Sequence, residues 1–136
     1  MATFRFELVS PERLILSGDV DQVDVPGSEG DFGVMAGHAP MVTSLRPGIL
    51  TIKGESGEVR VVILGGFAEV SPSGLTVLAD NAAMVEDFDK AVLDAHIQEA
   101  QTRMAQLQPG PLLDREIARL DHFKSLDYHL HGTAMH

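Results

Sequence analysis

"EVRVVILGGFAEVSPSGLTVLA" (58–79) decides the fold. Its first part, "EVRVVIL" (58–64), alternates and then becomes apolar on both faces, the pattern of a strand in the middle of a sheet. "GFAEV" (66–70) and "LTVLA" (75–79) are further strand patterns, rich in residues that suit a pleated, half-buried surface. "SPSG" (71–74) parts them with turn chemistry, Pro72 supplying a fixed φ. The paired glycines, Gly65 and Gly66, stand between two strands and open no helix. They read as a bulge or a close backbone approach between sheets, not as a dinucleotide cradle.

The same period extends back to the N-terminus. "FRFELV" (4–9) sets Phe4, Phe6 and Leu8 on one face and Arg5 and Glu7 on the other. "RLIL" (13–16), "VDQVDV" (20–25), "FGVM" (32–35), "MVTSL" (41–45) and "ILTIK" (49–53) follow, and "GESG" (54–57) supplies another turn. Short strands at regular spacing, punctuated by glycine and proline, predict a β-sandwich or barrel over residues 1–85.

From residue 86 onward the period changes. "DFDKAVLDAHIQEAQTRMAQLQ" (87–108) places Leu93, Ile97, Ala100, Met104 and Leu107 on one helical stripe, with Asp87 or Asp89 as N-cap. "PGP" (109–111) ends this helix and starts another, striped by Leu113, Ile117, Leu120, Phe123 and Leu126. A link so short makes residues 86–136 an antiparallel α-helical hairpin, with "HLHGTAMH" (129–136) as a frayed tail. With one apolar stripe per helix, the hairpin must lean on the sandwich or on another protein.

Composition narrows the function. The net charge of −10 argues against nucleic acid and against an anionic membrane surface, both of which need clustered cations. With no cysteine there is no disulfide framework and no thiolate nucleophile. The strand pattern begins at Phe4 and no apolar run approaches the length of a membrane span, so a soluble chain without a leader is expected. No nucleophile elbow, phosphate loop or zinc-binding helix occurs, and no catalytic function is expected. His129, His131 and His136 have no fixed third ligand at metal-site spacing, so no metal is expected either.

"EGDFGVMAGHAP" (29–40) is the stretch with the most functional character. Asp31 and His38 lie among glycines that allow unusual backbone angles, and Pro40 stiffens the exit. Neither a catalytic dyad nor a metal site can be completed from its neighbours. Rigid, shaped turns suit recognition of another protein. A structural His38, bonded to a nearby carbonyl, fits the spacing equally well.

Several segments, in order, carry a resemblance: "SPE" (10–12), "VPGSEGDFGV" (25–34), "GHAP" (37–40), "LRPG" (45–48), "GGFAEV" (65–70), "VLADNA" (77–82) and "EDFD" (86–89). With these the chain resembles the epsilon-subunit family of the F-type ATP synthase, homologous to the mitochondrial delta subunit. The resemblance covers the whole sandwich half; the hairpin half matches in length and architecture only. It implies a sandwich of about ten strands followed by the helical hairpin. It also implies a non-catalytic rotor subunit of the central stalk, clamped to the gamma subunit and seated on the ring of membrane c subunits. Such a subunit would be peripheral, on the cytoplasmic face of the bacterial inner membrane, and would couple ring rotation to gamma. By the same resemblance Ser10, Asp31 and His38 face the polar loops of the c-ring.

Members of that family often use the hairpin as a brake on ATP hydrolysis by extending it into the alpha/beta hexamer. Some bind ATP through the pattern [IL]-D-x-x-R-A. The matching stretch is "LDREIA" (113–118), which keeps Leu113, Asp114 and Ala118 but has Ile117 in place of the arginine. Arg115 and Arg119 lie about 100° and 140° around the helix from Asp114 and do not replace it. The expectation is therefore no ATP cofactor. Residues 112–128 carry Arg115, Arg119 and Lys124 against Asp114, Glu116, Asp121 and Asp127, which predicts a weak or absent brake. A free-standing ligand-binding sandwich with a regulatory hairpin stands as the alternative.

Overall fold

The computed structural model describes residues 2–131, the side chain of His131 aside. It divides between Asp87 and Phe88 into two compact units, two residues beyond the boundary expected from the change of period.

The first unit is built from strands β1 (Phe4–Val9), β2 (Leu14–Val20), β3 (Gln22–Gly27), β4 (Gly30–Met35), β5 (Met41–Leu45), β6 (Gly48–Gly54), β7 (Gly57–Ile63), β8 (Gly66–Ser71), β9 (Gly74–Ala79) and β10 (Ala82–Met84). They are hydrogen-bonded in the order β10-β7-β6-β3-β5-β8-β9-β1-β2, with β4 paired to β3 alone. A single residue pair, Gly27 with Leu45, joins the β3 side of this path to the β5 side. The ten strands fold at that joint into two layers around one core. Phe6, Leu8, Val23, Val25, Leu50, Ile52, Leu75 and Val77 are buried in it, as the alternation in each strand requires. Residues 58–63 of the segment lie in β7, which is second from an edge and not at the centre; Val61, Val62 and Ile63 are all buried, as its two-faced apolar pattern requires. One pairing lies outside any local pattern: β1 runs parallel to β9, Phe6 opposite Leu75 and Val9 opposite Leu78.

Gly66 explains the paired glycines. Its φ is 143°, and a Cβ there would sit 2.0 Å from the carbonyl oxygen of Leu78. Only a residue without a side chain lets β8 approach β9 so closely.

The second unit consists of α1 (Lys90–Gln106) and α2 (Pro111–His131). Asp89, not Asp87, caps α1 by accepting from the Ala91 N–H at 2.9 Å; Asp87 ends a short 3-10 turn, Val85–Asp87. The helices run antiparallel: Arg103 meets Glu116 near the turn, and the His96 ring packs tilted against Phe123 further along, ring centroids 5.6 Å apart. His96 therefore faces an aromatic ring across the hairpin.

The α2 stripe is shifted from the expected one. Leu120, Phe123 and Leu126 are buried, but Ile117 is 38% exposed and Glu116 takes the inward position. Glu116 is tolerated there because Arg103 and Arg119 approach its carboxylate at 3.5 and 3.4 Å, while Arg119 also lies 5.1 Å over the Phe123 ring. The expected tail is helical at its start: α2 continues through His129, whose Nδ1 donates to the Ser125 carbonyl at 2.7 Å. Residues 132–136 of that tail, with His136, lie outside the described residues.

Candidate functional site

Asp31 is the second residue of β4, on the outward side with Gly33 and Met35, while Val34 points into the core. The turn before it is tightly made. A Cβ on Gly27 would lie 2.6 Å from the Gly30 carbonyl oxygen, and Gly30 has a φ of 138°. Ser28 closes this corner onto β5, its N–H donating to the Ser44 carbonyl at 3.0 Å and its hydroxyl lying 2.8 Å from that of Ser44. Arg46 completes it: its backbone N–H donates to the Pro26 carbonyl at 3.0 Å, Nη1 to the Gly27 carbonyl at 2.6 Å, and Nη2 to Asp31 Oδ1. The Asp31 side chain is 73% exposed and that of Arg46 only 25%.

His38 lies in the link between β4 and β5, at the other end of β4. Its backbone N–H donates to the Met35 carbonyl at 3.1 Å and its Nδ1 to the Ala39 carbonyl at 2.9 Å. Gly37, with φ 86°, allows this turn, and the imidazole rests 6.4 Å from the Phe32 ring. The carbonyl bond expected of a structural histidine is thus present, and His38 is half-buried. Asp31 to Met35 alone spans about 13 Å of extended chain, so Asp31 and His38 bracket β4 and do not form one cluster. Among the described residues no strand but β3 pairs with β4, so the other edge of β4 carries no ladder hydrogen bonds between Asp31 and His38.

Ser10 belongs to the turn between β1 and β2, where its N–H and the Arg13 carbonyl are 2.9 Å apart. The register Gly27–Leu45–Gly66–Ala79 marks one end of the strands, and Ser10, next to Val9 opposite Leu78, lies at that end with Asp31. The structure thus gathers Ser10 and Asp31 at one end and His38 at the other.

A further surface escaped the sequence reading. Strand register aligns Phe67 with Leu78, Leu78 with Val9, and Val9 with Leu14. Phe67 is 58% exposed, Leu78 42% and Leu14 52%. Four strands therefore present an apolar row on the outer face of the sandwich, about 14 Å long at the usual strand spacing. The adjacent row carries Glu69, Thr76 and Glu7 in register. Single strands show only that these residues point outward; their alignment depends on pairings between distant segments.

In the hairpin, Leu113 is half-buried while Asp114 and Ala118, of the degenerate ATP pattern, are exposed. Among the described residues no group of three or more His, Asp or Glu side chains converges as a metal site. No described helix is long and apolar enough to cross a membrane. The geometry offers shaped surfaces: an open strand edge flanked by Asp31 and His38, and an apolar row on the outer face.

Comparison with known proteins gives one consistent answer. The family described as "ATP synthase, Delta/Epsilon chain, beta-sandwich domain" matches residues 3–85. An ATP synthase epsilon chain of Afipia carboxidovorans is 54% identical, and one of Rhodopseudomonas palustris 56%, each over the full length of both chains. Among solved structures, a chain of the Euglena gracilis mitochondrial ATP synthase, in an assembly of OSCP, F1 and c-ring, aligns with a TM-score of 0.72 at 30% identity. That alignment covers 96% of this chain and 83% of the other. A chain from the central stalk and c-ring of the Tetrahymena thermophila enzyme shares the fold, with a TM-score of 0.54 at 16% identity over 63% of this chain and 69% of the other.

Proposed function

The chain belongs to the delta/epsilon family of ATP synthase, as an epsilon chain that performs no catalysis of its own, and from that premise we propose that it couples rotation of the c-ring to the gamma subunit. Family membership displaces the alternative of a free-standing ligand-binding sandwich. The observation that carries the coupling reading is the apolar row Leu14–Val9–Leu78–Phe67, aligned by register across four neighbouring strands with Leu14, Leu78 and Phe67 exposed. An apolar patch of this kind on a small soluble sandwich marks a protein interface. Gamma is its proposed occupant. The open edge of β4, with Asp31 and His38 at its ends and Ser10 beyond the Asp31 end, is the proposed seat on the polar loops of the ring. Two surfaces on one rigid sandwich suit a part that transmits torque between neighbours, on the cytoplasmic face of the bacterial inner membrane.

The test is co-purification. The full chain should form a stable complex with gamma, and in membranes Asp31→Ala and His38→Ala should loosen attachment to the ring while leaving gamma bound. A chain that ignores gamma, or variants that release gamma and ring together, would refute the assignment of two separate surfaces.

For the hairpin, we infer little or no inhibition of hydrolysis. Arg119 is already engaged by Glu116 and Phe123, which leaves α2 short of free cations for an alpha/beta hexamer to meet. Truncation after Phe88 should leave ATP hydrolysis by the assembled enzyme near its intact rate; a several-fold rise would contradict this.

A further inference from the structure

We propose that Arg46 is a positioning residue for Asp31, so that the c-ring meets a fixed, charge-compensated carboxylate whose partner on the ring is a neutral hydrogen-bond donor. This rests on the ring-docking reading of the β4 edge. An exposed aspartate ordinarily samples several rotamers and is well hydrated, and a partner that orders it must offset both. Here that ordering is present before any partner arrives. The Arg46 guanidinium is held without help from Asp31 by Nη1 on the Gly27 carbonyl, while the residue's backbone N–H is anchored on the Pro26 carbonyl. The remaining arm, Nη2, takes Asp31 Oδ1. Because the guanidinium is planar, fixing one arm on β3 fixes the direction of the other.

Arg46 takes Oδ1 and leaves Oδ2 as the acceptor for a partner, on a side chain 73% exposed. The pair carries no net charge. A lone aspartate would favour a cation on the ring, as the exposed acid of the sequence suggests, whereas the compensated pair favours an amide or hydroxyl donor. Lysine at position 46 would keep the charge but lacks the fork that reaches both the Gly27 carbonyl and Asp31 in one plane.

The experiment titrates the full chain, bound to gamma, against proteoliposomes carrying the c-ring, at low and high salt. The chains are native, Asp31→Asn, Arg46→Gln, Arg46→Lys and the double variant Asp31→Asn/Arg46→Gln. Arg46→Gln should weaken ring binding about tenfold, the value of one charge-assisted hydrogen bond, and Asp31→Asn by a similar factor. The double variant should be no weaker than either single one, since the two residues act as a unit. Arg46→Lys should restore only part of the affinity, and salt should change the native affinity little. Tm and gamma affinity should stay at native values; if Arg46→Gln lowers Tm, Arg46→Lys at native Tm carries the comparison. Loss with Asp31→Asn but none with Arg46→Gln and Arg46→Lys, or a steep fall in native affinity with salt, overturns the inference and leaves the ring-docking reading standing. No loss with Asp31→Asn sinks Asp31 as a ring contact, and this inference with it.

Discussion

Phe67→Ala isolates the apolar row, because the atoms it deletes are already largely in water in the free chain. A phenylalanine side chain buries about 200 Å² when fully covered, so 58% exposure leaves roughly 115 Å² for a partner to cover. Alanine forfeits roughly 90 Å² of that area, worth about 2–2.5 kcal/mol at about 25 cal/mol per Å². The Kd for gamma should therefore rise roughly 30- to 70-fold. Folding stability should move by no more than about 0.5–1 kcal/mol, from the cross-strand contact with Leu78. Titration calorimetry of the full chain with gamma measures the first quantity and a thermal melt the second. Phe67→Leu keeps most of the area and should bind nearly as the native chain does. A gamma Kd for Phe67→Ala within about threefold of native, at native Tm, would refute the assignment of this row to gamma.

Three other outcomes follow from the same geometry. Gly66→Ala should cost the sandwich about 3 kcal/mol, a fall in Tm of roughly 12–24 °C, because its Cβ would meet the Leu78 carbonyl oxygen at 2.0 Å; a melt near native would mean that β8 and β9 part easily. Glu116→Gln should weaken the turn end of the hairpin by about 1–2 kcal/mol, discounted for two arginines that stay partly hydrated; faster amide exchange in 112–120 with an unchanged sandwich is the readout, and unchanged exchange the contrary result. Calorimetric titration with ATP should give no saturable binding below millimolar concentration, since Ile117 stands where the ATP pattern has arginine; sub-millimolar affinity would overturn this.

The two halves were legible because each period is written locally. Alternation at Phe6 and Leu8, or at Val23 and Val25, predicts which side chains are buried. The helical stripe was legible to within one residue. Glu116 and Ile117 both continue the step from Leu113, and an apolar preference chose Ile117; the arginines at 103 and 119 reversed that choice, and Arg103 lies on the other helix. What no local period records is register between distant strands. Arg46 stands in a segment that the family resemblance singles out, yet nothing in its spacing points to Asp31, 15 residues earlier. The apolar row likewise joins residues 9, 14, 67 and 78 through three pairings, one of them parallel. Asp31 and His38 are seven positions apart in sequence, but an extended strand carries the chain away from its start at about 3.3 Å per residue, so the sequence does not show that they stand at opposite ends of β4.

The parallel pairing of β1 with β9 has a consequence for biosynthesis. Val9 meets Leu78 only after about 70 more residues have been made, which at roughly 5–20 residues per second is a wait of several seconds. During that interval β1 has β2 as its local neighbour, and the side of the hairpin bearing Phe6 and Leu8 is uncovered. A nascent chain stalled before Leu75 should therefore be a chaperone client, and one released after Ala79 should close at once.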